Sequence, residues 1–102
     1  MVLLRQEVGN ALRSRRRALG RTLREVSAQS SVSLGYLSEI ERGEKEASSE
    51  LLASICQALQ MPVSRMLLDV SDRVAEQEAK AMVVVPLAPA ARARRGERAS
   101  AA

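Results

Sequence analysis

The stretch VSLGYLSEIERG, residues 32–43, sets Ser33, Leu34, Gly35, Ser38 and Glu39 on one side of a helical spacing and Leu37 and Ile40 on the other. Hydroxyls, a carboxylate and a bare backbone position can hydrogen-bond to a partner that approaches closely. None of them starts covalent chemistry unaided. A serine nucleophile needs a base to take its proton, and the chain has no histidine and no evident Ser–Lys arrangement. Cys56 is the only cysteine, so an intrachain disulfide is excluded, and a zinc site would lack ligands. Cys56 falls among Leu51, Leu52, Ile55 and Leu59 at helical spacing and reads as core. The four methionines read as packing in the same way. The chemistry on offer is recognition, so no enzyme, metal or cofactor is expected.

A recognition face has to be held by something. The chain of 102 residues is 46% hydrophobic but 1% aromatic, so its core must be Leu, Ile, Val, Ala and Met, which suits packed helices. Val8, Leu12 and Leu19 share one face, and Gly20 stops that helix. Thr22 with Glu25 three residues later is a capping box that opens a short second helix carrying Leu23 and Val26. Ser33 caps a third helix that ends at Gly43, and Ser48 or Ser49 opens a fourth. Pro62 sits near the first turn of a fifth, where its missing N–H costs little. The expected fold is all-α, five helices by about residue 70 and no strand between them. Val63, Leu67, Val70 and Val74 then continue in steps of four and three, a short heptad-like seam.

Two short helices joined by a tight turn, the second with a polar outer face, describe a helix-turn-helix. Ser27 is small where the helices cross, Val32 opens the turn, and Leu37 and Ile40 anchor the second helix from beneath. Arg13, Arg15, Arg16, Arg17, Arg21 and Arg24 cluster before and within the motif. Such a cluster is a solvated helix face as readily as a phosphate-binding one. Beside a helix-turn-helix, attraction to phosphates is the stronger reading for some of them. Glu39 suits a cytosine amino group, and Leu34 suits a thymine methyl.

The run TLREVSAQSSVSLGYLSEIERG, residues 22–43, resembles the Xre/Cro/C1-type family of repressors, and the likeness extends over residues 5–69. The family implies a five-helix, lambda-repressor-like DNA-binding domain. It implies that Ser33, Leu34, Gly35, Ser38 and Glu39 face base edges in the major groove, while Thr22, Tyr36 and Arg42 hold phosphates. It also implies an ion pair between Arg16 and Glu41. Family members often carry Gln where this chain has Leu23, and Arg21 or Arg24 is the expected substitute for that phosphate contact. The wording GRTLREVS and VSLGYLSEIERG is similar to activators of Clp protease and chaperone genes, which implies a transcriptional activator of that set.

The expected organisation is a DNA-binding domain over 1–69, a helical extension over 70–82 that pairs two copies through Val70 and Val74, and a flexible Ala/Arg/Pro-rich tail over 83–102. The expected partners are double-stranded DNA with a palindromic operator, a second copy of the chain and RNA polymerase. Clp protease joins them through Ala101 and Ala102, whose Ala-Ala ending is similar to the tag on stalled translation products. No stretch approaches the roughly 20 apolar residues of a membrane span, and a cytoplasmic location is expected. Two rivals stand beside this reading. An antitoxin would use the tail to block a toxin, and a protein adaptor would leave the arginine cluster without a purpose.

Overall fold

The computed structural model describes residues 1–82 and places five helices there with no strand among them. They are α1 (Leu4–Ala18), α2 (Leu23–Ser30), α3 (Leu34–Glu41), α4 (Ser49–Ala58) and α5 (Val63–Met82). Three of the starts trace to one side chain each. Thr22 Oγ1 accepts from the Glu25 N–H at 3.1 Å while Glu25 Oε1 accepts from the Thr22 N–H at 2.8 Å. Ser33 Oγ accepts from the Tyr36 N–H, and Ser48 Oγ from the Leu51 N–H, both at 3.2 Å. These caps satisfy backbone donors that the first helical turn leaves without partners.

α1 packs against both α3 and α5, and α2 packs against α3 and α4. Leu12, Val26, Leu37, Ile40, Ile55 and Met66 lie sealed where these faces meet. Cys56 is buried with them, and burial pushes its thiol above the ordinary value. The thiol therefore stays protonated and inert near neutrality. No single helix among the described residues is long and apolar enough to cross a membrane, and α4 and α5 meet at 100°.

α5 divides the expected seam between a buried and an exposed side. It runs unbroken through residue 70, and its core stripe centres on Met66 and Val70, which are 0% and 4% exposed. Val74 is half-buried against the same core. Leu67 follows Met66 by one residue and is turned about 100° away from it, so Leu67 and Leu68 are 55% and 58% exposed. The monomer thus buries Val70, which was expected to hold two copies together, and leaves Val63, Leu67 and Leu68 outside. The expected tail over 83–102, with the Val83–Val85 run and the Ala101–Ala102 end, lies outside the described residues.

Candidate nucleic-acid interface

The turn between α2 and α3 is built from small residues. Ser31 takes the left-handed conformation at φ 61°, which reverses the chain without a glycine. Ser27 donates its hydroxyl to the Val32 carbonyl, and Ser30 donates to the Val26 carbonyl at 2.7 Å. Val32, 4% exposed, plugs the space between the two helices, and Leu37 and Ile40 anchor α3 from below. The outer face of α3 then shows Ser33, Leu34 and Gly35 exposed and Ser38 and Glu39 half-exposed. A β-carbon on Gly35 would meet nothing within 4 Å. Packing within the monomer does not demand a glycine there, although glycine weakens a helix by about 1 kcal/mol against alanine.

The far end of α3 is clamped by α1. Arg16 donates to both carboxylate oxygens of Glu41, at 2.8 and 3.0 Å, and to the Arg21 carbonyl at 2.9 Å. The two side chains are only 12% and 6% exposed, and the bond to Glu41 raises the Arg16 guanidinium above its ordinary value. Arg13 donates to the Glu41 carbonyl and Arg5 to the Gly43 carbonyl, each at 2.9 Å. The last carbonyls of a helix have no partners within it, and arginines are well suited to bind them.

The same logic accounts for most of the arginine cluster. Arg15 donates to the Leu59 and Gln60 carbonyls at 3.0 and 2.9 Å, closing the end of α4. Arg21 donates to the Ala58 carbonyl and to Gln29. Arg21 is thus engaged inside the fold through Nη1, while its Nε and Nη2 make no hydrogen bond among the described residues. Arg17 and Arg24 are exposed and make no hydrogen bond or ion pair among the described residues. Lys45, just past α3, is in the same state and was not singled out from the sequence.

Three further phosphate candidates differ in how the structure engages them. The Tyr36 hydroxyl donates to the Glu46 carbonyl at 2.8 Å. A phenol has one proton, and here Tyr36 uses it to brace the loop after α3. Thr22 uses its oxygen as an acceptor in the cap and keeps its hydroxyl proton. Arg42 is exposed and donates to both carboxylate oxygens of Glu44, at 3.1 and 3.0 Å, and to Ser38 Oγ.

A helix, a tight turn and a second helix with an open outer face form a helix-turn-helix, the architecture that presents a helix to the DNA major groove. The helix-turn-helix family model matches residues 12–65. The transcriptional regulator ClgR of Mycobacterium tuberculosis is 62% identical over 76 residues, which span 74% of this chain and 68% of that protein. A crystal structure of the clp gene regulator ClgR from Corynebacterium glutamicum superposes with a TM-score of 0.77 at 50% identity, covering 84% of this chain and 92% of that one. A second crystal structure of the C. glutamicum regulator gives 0.69 at 53% identity, over 72% and 95%. The chain belongs to the helix-turn-helix family of transcriptional regulators that includes ClgR.

Proposed function

We propose that this protein is a sequence-specific DNA-binding transcriptional regulator that activates clp protease and chaperone genes. One observation carries the reading: α3 is locked at its C-terminal end by α1 while its outer face is left small, polar and open at Gly35. That face enters the major groove, with Ser33, Leu34, Gly35, Ser38 and Glu39 toward base edges. Thr22, Arg24 and Arg42 attract phosphates. The clp gene set follows from the C. glutamicum relative, a clp gene regulator.

Two copies bind a palindromic operator, and Val63, Leu67 and Leu68 are exposed apolar residues of α5 suited to join them. Activation implies a contact with RNA polymerase in the cytoplasm. The test is selection of bound fragments from the source genome with the purified full-length chain. An inverted repeat upstream of clp genes is expected. Fragments without a common sequence would overturn the reading.

A further inference from the structure

Ser38 occupies the open face of α3 one turn before the helix ends. A serine hydroxyl carries one proton and two lone pairs, so a free serine accepts from or donates to a base edge with little discrimination. The Ser38 hydroxyl is not free. Arg42, one turn further on, donates Nη1 to Ser38 Oγ. The guanidinium is fixed from its other edge, because Nε and Nη2 donate to the two carboxylate oxygens of Glu44 at 3.1 and 3.0 Å. A planar fork on a carboxylate leaves the guanidinium little freedom to rotate, and this one aims its remaining nitrogen at Ser38.

The backbone keeps the three residues together. Gly43 turns the chain at φ +75°, and the Glu44 N–H reaches back to the Glu39 carbonyl at 2.9 Å. That return sets Glu44 beside Arg42. A β-carbon on Gly43 would lie 2.8 Å from Gln6 Cα, so α1 holds the reversal in place. Ser38 Oγ itself donates to no group among the described residues, which leaves its proton free for a partner.

We propose, resting on the DNA-binding reading of α3, that Arg42 and Glu44 are positioning residues that make Ser38 a hydrogen-bond donor toward the operator. A cation on one lone pair weakens the other as an acceptor and strengthens the O–H as a donor. Ser38 then favours a base whose major-groove edge presents an acceptor: guanine at O6 or N7, adenine at N7, thymine at O4. It disfavours cytosine, which presents an amino donor there. Arg42 thereby contributes to sequence choice in addition to attracting phosphates, a role its position just past α3 does not announce.

Binding-site selection with the full-length protein tests this in four forms: wild type, Ser38→Ala, Glu44→Gln and Arg42→Lys. Ser38→Ala identifies the operator position concerned by flattening the preference there. Glu44→Gln removes a negative charge, so it raises affinity for every sequence. At the Ser38 position it is expected to lose discrimination against cytosine, about three- to tenfold for one hydrogen bond. Arg42→Lys keeps the charge without the fork and is expected to lose the same discrimination. A purely electrostatic role for Glu44 would strengthen all sequences equally and leave the preference intact. That result overturns the proposal, as does a Ser38→Ala protein with an unchanged consensus. A wild-type protein that selects no sequence would instead overturn the DNA-binding reading itself.

Discussion

Gly9 of α1 lies so close to Glu41 of α3 that a β-carbon on it would sit 2.6 Å from the Glu41 carbonyl oxygen, with the Ile40 carbonyl also in its way. Both obstacles are backbone, which cannot swing aside like the end of a side chain. The same helix-stabilising substitution should therefore act oppositely at two glycines. Gly9→Ala forces α1 off α3 and is expected to destabilise by about 1–3 kcal/mol, as overpacking does. For a domain of this size each kcal/mol lowers the melting temperature by about 4–8 °C. Gly35→Ala meets open space and is expected to stabilise the fold by up to about 1 kcal/mol. It should nevertheless weaken operator binding, because its methyl group occupies the space where the DNA approaches. Thermal unfolding and operator titration of the two variants check this. Equal melting temperatures would show that the α1–α3 approach is not tight.

The Arg16–Glu41 pair is the second half of that clamp. Glu41→Ala strands a guanidinium that is only 12% exposed with one remaining carbonyl partner, Arg21. Breaking one side of a buried pair costs about 3–5 kcal/mol, whereas replacing both sides with apolar residues is often near neutral. Glu41→Leu combined with Arg16→Met is thus expected to be more stable than Glu41→Ala alone in denaturant titration. The bond to Glu41 raises the arginine's folded value above its unfolded one. Its contribution is complete below the unfolded value and is lost only as pH rises through the folded one. Arginine titration therefore takes nothing from stability anywhere near neutrality.

Much of this architecture is readable in short sequence patterns because it is locally determined. The Thr22–Glu25 box, the Ser33 and Ser48 caps and the Gly43 stop each depend on residues within one turn of each other. The partners of Arg13, Arg15 and Arg21 are carbonyls 28, 44 and 37 residues away, and no local pattern marks them. A run of arginines looks the same whether it faces phosphates or helix ends. Ser31 and Gln60 adopt positive φ without the glycine that usually signals it. Met66 and Leu67 have similar side chains, and only the direction from which α1 meets α5 decides which of them is buried.

Glu39 lies on the outer face of α3 and its side chain makes no hydrogen bond among the described residues. Glu39→Ala should leave folding untouched and relax base preference at one operator position. The cost for the preferred base is expected to be about 1–3 kcal/mol. Site selection reports this directly, and an unchanged consensus would remove Glu39 from the reading face.

The Arg42–Glu44 bridge carries its own pH signature. The hydrogen bonds from Arg42 hold the Glu44 carboxyl below its ordinary value. A depressed carboxylate contributes stability that is present above the unfolded value and lost as pH falls through the folded one. At neutral pH the bridge is complete, so base discrimination by Ser38 should not change with pH there. Nuclear magnetic resonance of the Glu44 carboxyl should show a midpoint that moves upward in Arg42→Gln. A midpoint at the same pH in both proteins would mean the bridge does not persist in solution.

The apolar residues that α5 leaves outside predict where two copies meet. Leu67 and Leu68 are more than half exposed, so Leu67→Asp with Leu68→Asp removes little from the monomer's core. Exposed substitutions of this kind usually change stability by about 0.5 kcal/mol or less. The double variant is expected to sediment as a folded monomer. Related motifs bind half-sites about 34 Å apart as dimers, so its operator affinity should fall steeply while the helical signal in circular dichroism stays intact. Val70→Asp is the contrasting case. Val70 is 4% exposed against the monomer's own core, and burying a carboxylate there is costly. That variant is expected to unfold, losing helix and DNA binding together. A Leu67/Leu68 variant that still sediments as a dimer would move the contact to another face, and a folded Val70→Asp monomer would return the seam to the buried side of α5.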